Sequence, residues 1–371
     1  MEFRFAPEQE ALRKEFDDFF REEMRNAPAE WGKSHEAMFS SDVCWEFHKQ
    51  VARKLGARGW LSRPWPRQYG GQDAPLIEQF IFSEVMGYHG GAGVDHLGVG
   101  VLAPSLLFSG NHEQKSEHLP PMARGERFWC QCWSEPDVGS DLASLTTRAT
   151  RDGDDYIING QKIWTTAAHR ADWCNMLART DPEAKRSRGI SFFLLDMKTP
   201  GVTVRPIPSM EGSHMFNEVF FDNVRVPARN RVGEENQGWA ASQMSANFER
   251  SMIFMFSVCR RDLEELVEFC RDAGLGGEAL AGNPLVRNRL ARLAIEIEAG
   301  RTLAYSIVWT QTKGGLIEAG PLAAAAKVFA TELMQRVVET GCQIMGLYGQ
   351  VRDSRWAPLR GAYERNYQIT P

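Results

Sequence analysis

The chain has 371 residues, 43% of them hydrophobic and 25% charged, with a formal net charge of −5. Those proportions suit a globular enzyme, and the acidic balance is the opposite of the basic stripe a nucleic-acid binder carries, so no nucleic-acid partner is expected. No apolar run approaches the roughly 20 residues of a membrane span, and the first residues carry no apolar signal core, so a cytoplasmic location is expected.

Residues 1 to about 120 read as helical. Pro7-Glu8-Gln9-Glu10 opens a run with Leu12, Phe16, Phe19 and Phe20 on one helix face, and further helical patterns cover residues 43–55 and 76–87. Gly70-Gly71 and Gly90-Gly91 punctuate them. The pattern changes near residue 125. Residues 156–164 hold an Asn159-Gly160 pair between two strand-like runs, which predicts a hairpin turn. Residues 174–179, 190–197, 202–207 and 218–226 also read as strands, and short strands in series predict a small sandwich or barrel. Helical periodicity returns at Gln237, with long patterns over 238–270, 284–313 and 321–345. The expectation is an α+β chain of three parts: an N-terminal α-helical domain (1–124), a middle β-sandwich or barrel domain (125–235) and a C-terminal four-helix-bundle domain (236–371). This order excludes a Rossmann reading, and no GxGxxG is present.

Seven cysteines stand at 44, 130, 132, 174, 259, 270 and 342. There is no CxxC pair, and Cys130-Gln131-Cys132 has no histidines beside it, so buried structural thiols in a reducing compartment are expected and no metal site. Eleven tryptophans suit either a core or a planar ring ligand.

Two blocks carry chemistry. Trp133-Ser134-Glu135-Pro136-Asp137-Val138-Gly139-Ser140-Asp141 is followed by Asn159-Gly160-Gln161-Lys162-Ile163-Trp164-Thr165-Thr166. In composition and separation the pair resembles the acyl-CoA dehydrogenase family. The resemblance continues through His112-Glu113-Gln114-Lys115, Leu119-Pro120 and the stretch from Phe216 to Pro227, and so covers nearly the whole chain. It implies the family fold, FAD as cofactor, an acyl-CoA substrate, electron-transfer flavoprotein or a similar acceptor, and a homo- or heterotetramer.

An isoalloxazine ring needs hydrogen-bond donors along its pyrimidine edge and at N5, with an apolar wall behind it. Ser134, with the backbone of Trp133 and Ser134, suits the pyrimidine edge. The Thr166 hydroxyl suits N5, and Trp164 offers a flat wall. Ser140 falls where the family contacts flavin phosphate or the pantetheine of the thioester. The resemblance also puts Gln131, Gly139, Thr165, Gln343 and Gly346 at the cofactor. Taken singly, a serine in a turn is usually a cap and a tryptophan in a strand usually core; the spaced set is what points to flavin.

The family's reaction removes a Cα proton and transfers a Cβ hydride, so it needs a carboxylate across from the flavin. In the isovaleryl-CoA and long-chain branches that carboxylate lies in a Glu-Arg pair on the first long helix of the last domain. Asn247-Phe248-Glu249-Arg250 matches that location, which assigns Glu249 as base and Asn247 and Arg250 as CoA contacts. Glu364, in Ala362-Tyr363-Glu364-Arg365, superficially resembles the base of other branches, but that motif should fall beyond residue 371. The family's Arg-x-Gln-Phe-Gly element, expected near 272–285, has no arginine here. Asn283, Arg287 or a different partner subunit is left to replace it. Leu285-Val286-Arg287-Asn288-Arg289-Leu290-Ala291 and Leu347-Tyr348-Gly349-Gln350 are similar to members that oxidise steroid side-chain CoA esters as heterotetramers. The alternatives are a non-catalytic or half-site subunit and a flavin oxidase or monooxygenase on the same fold.

Overall fold

A computed structural model describes residues 5–242, 252–275, 278–314 and 318–370. The chain forms two compact units: Met1–Val51 with Ala74–Ala92 and Arg250–Pro371, and Ala52–Asp73 with Gly93–Glu249.

The first unit is helical. Helix α1 (Pro7–Arg25) starts on a proline, whose missing N–H costs nothing at that position, and has Glu8 and Glu10 in its first turn, where the helix dipole favours anions. It buries Phe16, Phe19 and Phe20, the stripe expected from their spacing. Helix α2 (Asp42–Ala57) begins in this unit, and helix α3 (Leu76–Tyr88) and three long helices, Ile253–Asp272, Pro284–Thr312 and Ala319–Met345, follow. Their core is built from Phe256, Cys259, Leu263 and Leu266 of one helix, Leu293 and Ile297 of the next, and Leu333 and Val337 of the third. The contact is close enough that a Cβ on Gly300 would stand 2.1 Å from the Phe256 ring, so only glycine fits there.

The second unit carries helices α4 (Ala103–Ser109) and α5 (His112–Ala123) and the strands. Helix α5 begins in a capping box, with Asn111 Oδ1 accepting from Gln114 N at 2.8 Å and Gln114 Oε1 accepting from Asn111 N at 3.1 Å. Eight strands make one mixed sheet: β1 (Trp129–Cys132), β2 (Arg148–Asp152), β3 (Asp155–Lys162), β4 (Trp173–Arg179), β5 (Ile190–Asp196), β6 (Val202–Ile207), β7 (Phe216–Pro227) and β8 (Arg231–Val232), in the order β6-β7-β3-β2-β4-β5-β8 with β1 beside β4. Strands β4 and β5 are buried on both faces. Leu177, Phe192 and Leu194 pack with Leu102, Leu106 and Trp129, while Cys174, Met176, Phe193 and Leu195 pack with Tyr156, Ile158, Val219 and Val224 of β3 and β7. Burial on both sides is why Phe192-Phe193-Leu194-Leu195 reads as a continuous apolar run.

One strand expectation needs correction. Asn159-Gly160 is not a hairpin turn: β3 runs through it, and the turn lies at Gly153-Asp154, between Asp152 and its partner Asp155. Gly160 instead marks a β-bulge, where the register with β7 slips between Ile158 and Gly160. Its φ of +154° and the 2.5 Å that would separate an added Cβ from Thr147 Oγ1 both demand glycine. Strands β1, β2 and β8, which the alternation did not reveal, are short at four, five and two residues.

Candidate active site

Strand β1 ends at Cys132 and hands over to Trp133 and Ser134, while β3 ends at Lys162 and hands over to Ile163 and Trp164. The fold ties these two exits together. Ile163 N–H donates to Ser134 O at 3.0 Å, and Lys162 Nζ donates to Trp133 O at 2.9 Å. The same ammonium donates to Glu135 Oε1 at 2.9 Å. Glu135 also accepts from Thr146 N at 2.7 Å, Thr146 Oγ1 at 2.8 Å and Thr147 N at 2.9 Å. The two blocks that stand 25 residues apart in sequence (134 to 159) are therefore one structural element.

The tie is an ion pair out of water, with side-chain exposure of 0% for Lys162 and 4% for Glu135. Burial alone would push the Glu135 carboxyl up. The Lys162 ammonium and the hydrogen bonds from residues 146 and 147 outweigh it and hold the carboxyl down at about 2. Burial pulls the Lys162 ammonium below its ordinary value, with Glu135 opposing. Removing one partner of such a pair strands the other charge, at a cost of about 3–5 kcal/mol.

Above this tie the side chains divide into two kinds. The Trp133 indole turns inward: its Nε1–H donates to Asn175 Oδ1 at 2.8 Å and its ring meets Phe192 edge-on. What Trp133 leaves for a ligand is backbone. Trp164 turns outward, 58% exposed, and meets Phe216 edge-on at 5.9 Å. Ser134 and Thr166 are half-buried, and Gln131 is half-buried on β1. Thr165 is buried, and its hydroxyl has no oxygen or nitrogen partner and lies by the Cys132 thiol. The Glu135–Val138 turn closes on itself through Glu135 N to Val138 O (2.8 Å) and Val138 N to Glu135 O (2.9 Å), and presents Gly139 and Ser140 to solvent. A Cβ added at Gly139 would meet nothing of the chain within 4 Å.

The remaining expected residues fall elsewhere. Asn247, Glu249 and Arg250 lie outside the described residues. Gln343 and Gly346 belong to the first unit. Gln343 is exposed at the end of the Ala319–Met345 helix, accepting from Arg289 Nη1 and donating to Glu339 Oε1, each at 2.9 Å. Gly346 caps that helix with φ +59°. Asn283 caps the Pro284–Thr312 helix, its Oδ1 accepting from Leu285 N at 2.9 Å. Glu364 stands 3.5 Å from Arg352 and accepts from Gln368.

Six of the seven cysteines are buried and Cys342 is half-buried. Register puts Cys130 of β1 opposite Cys174 of β4, and burial pushes both thiols well above the ordinary range. Among the described residues no helix is long and apolar enough to cross a membrane.

Glu135, Lys162 and Asn175 stood in the sequence without an assigned role. A signal for Lys162 was there: Tyr156, Ile158 and Lys162 share the parity of β3, so the alternation that buries the first two buries the lysine as well. A lysine on a buried face needs a counter-charge.

Three family models match the chain: Acyl-CoA dehydrogenase, N-terminal domain, over residues 6–126; middle domain, over 130–224; and C-terminal domain, over 236–365. The chain belongs to the acyl-CoA dehydrogenase family, enzymes of oxidoreductase type. Among its relatives, acyl-CoA dehydrogenase FadE26 of Mycobacterium tuberculosis is 34% identical over 99% of this chain and 92% of its own length. The ChsE4-ChsE5 complex from the same organism contains a chain 34% identical, with TM-score 0.86 over 100% of this chain and 93% of that one. A second solved structure, the Tcur3481-Tcur3483 steroid ACAD, is 31% identical with TM-score 0.86 over the same shares.

Proposed function

We propose that the protein is an FAD-dependent acyl-CoA dehydrogenase that removes hydrogen from Cα and Cβ of an acyl-CoA thioester, with Glu249 as the base. The observation that carries the flavin part is the tie between the two blocks. It sets the segment at 133–134, with the Ser134 hydroxyl, beside the segment that carries the exposed Trp164 ring and Thr166. That donor set fits an isoalloxazine ring: hydroxyl and peptide donors at one edge and a flat apolar wall. When bound, FAD supplies the hydride acceptor at N5. The chain does the rest. Ser134 and the peptides beside it hold the pyrimidine edge, Thr166 donates toward N5, and Trp164 covers the ring and keeps water from it. Gln131 on β1, Gly139 and Thr165 in the loops, and Gln343 and Gly346 add the remaining cofactor contacts in this reading. Ser140, Asn247 and Arg250 hold the CoA moiety, and the Glu249 carboxylate takes the Cα proton. Glu364, already engaged by Arg352 and Gln368, is a poor candidate for that role.

The family models, spanning 6–126, 130–224 and 236–365, support a division of the chain near 124/125 and 235/236. Likeness to a steroid ACAD supports a bulky or branched acyl group; in the same reading the enzyme is cytoplasmic and passes its electrons to an electron-transfer flavoprotein or similar acceptor. A second reading, a half-site subunit of a heterotetramer, is favoured by two observations. A neighbouring structure is the two-component ChsE4-ChsE5 complex, and residues 272–285 contain no arginine for the flavin pyrophosphate.

The test is a visible spectrum of the purified chain followed by an anaerobic panel of acyl-CoA esters. A flavin band that bleaches with an ester and without oxygen is expected. A colourless chain that turns yellow only with a partner subunit selects the second reading, and oxygen-dependent turnover selects an oxidase.

A further inference from the structure

Trp164 and Ala167 bracket Thr165 and Thr166, and both have left-handed backbones, with φ of +58° and +62°. Residues with a Cβ avoid that region and hold it only where the surroundings over-determine the chain. What over-determines this segment is one residue of β7. Asn217 is completely buried and takes both main-chain polar groups of Thr165: its own C=O accepts from Thr165 N at 3.0 Å, and its side-chain Nδ2 donates to Thr165 O at 3.0 Å. Ala167 N donates to Met215 O at 2.9 Å, two residues away on the same segment.

The orientation of the Asn217 amide follows from its neighbours. Thr165 O can only accept, so the NH2 faces it, and Oδ1 is left to accept from His214 Nε2 at 2.8 Å. His214 stacks on His169 with ring centres 3.7 Å apart and planes 14° from parallel, and His169 Nδ1 lies 3.3 Å from Asn217 Nδ2. The histidine pair keeps the amide turned toward the loop.

We propose that Asn217 is a positioning residue for the flavin site: by fixing the two peptides around Thr165 it aims the Trp164 ring outward and sets the Thr166 hydroxyl. It touches neither substrate nor reacting atoms in this assignment. The inference rests on the flavin reading above for its functional half, while its structural half stands on the apoprotein.

The experiment compares wild type, Asn217→Ala, His214→Leu and His214→Gln as full chains, with two readouts. Hydrogen exchange of the apoprotein should show protection at the Thr165 and Ala167 amides falling about tenfold or more in Asn217→Ala, with β4 and β5 unchanged. FAD titration should show affinity falling by roughly tenfold, and kcat should fall while KM for the acyl-CoA stays within about twofold. His214→Leu, at a half-exposed site, should shift both readouts in the same direction by less, and His214→Gln, which restores an N–H donor, should recover most of that loss. These His214 variants carry the test if Asn217→Ala does not fold. Unchanged loop exchange in the Asn217 and His214 variants overturns the proposal. So does a loosened loop with undiminished FAD affinity. If wild type binds no FAD under any condition the flavin reading fails instead, and the exchange readout still decides whether Asn217 holds the loop.

Discussion

Each unit buries a glutamate among cations, and the two are built differently. Glu84 of the helical unit accepts from Arg301 Nε and from Tyr305 OH at 2.8 Å, with Arg13 Nη2 3.9 Å away. Arg301 and Arg13 keep 24% and 33% of their side-chain surface exposed, so this network opens onto water and joins α1, α3 and the Pro284–Thr312 helix. Glu135 of the strand unit has a lysine with no exposed surface and three donors from a neighbouring turn, and its lysine also grips Trp133 O. Water can substitute in the first network as a side chain is lost. It cannot in the second, where the charges hold main chain. The helical network is glue between helices; the strand network shapes the loops that carry the proposed flavin contacts.

The difference can be broken by mutation. Lys162→Met leaves Glu135 charged and dry, and should cost about 3–5 kcal/mol in denaturant unfolding and loosen FAD. The double variant Lys162→Met/Glu135→Gln should recover part of the stability and not the FAD affinity, because the grip on Trp133 O stays lost. An equally destabilised Lys162→Met that binds FAD as wild type would reduce the pair to ordinary glue.

Acid sharpens the same contrast. The Glu135 carboxyl sits at about 2 in the fold against an ordinary 4.5, so its folded pKa is depressed. The stability it contributes, on the order of 3 kcal/mol, is complete above the ordinary value and drains away as pH falls from there toward the folded one. Unfolding of wild type against Glu135→Gln should show a gap that closes over this window. A gap independent of pH would mean the carboxyl is not held down.

Gly160→Ala should cost roughly 1–3 kcal/mol, since the new Cβ must displace Thr147 from a left-handed bulge. The smallest effect is expected from Arg301→Met, about 1–2 kcal/mol, with Tyr305 still donating to Glu84. Its flavin spectrum should match wild type, and a changed spectrum would show that the helical network also reaches the site.

These contrasts explain what the sequence could reveal. The stripe of Phe16, Phe19 and Phe20 and the apolar run of β5 were readable because one pattern answers to one burial. The two blocks around Ser134 and Trp164 were readable as a pair, though not the tie between them, since nothing local says that Lys162 reaches back to Glu135. Asn159-Gly160 misled because the same dipeptide chemistry serves a turn and a bulge, and only the neighbouring Thr147 decides between them. The four-residue β1 is shorter than any periodicity can mark. Asn217 could not be found at all from sequence, because its role depends on two left-handed residues some fifty positions earlier.

The base remains the most direct point of attack. Glu249→Gln, purified with FAD, should keep the flavin band and its perturbation on binding acyl-CoA, while anaerobic bleaching by the substrate slows about 1,000-fold or more. Bleaching at the wild-type rate in that variant would contradict proton abstraction by Glu249.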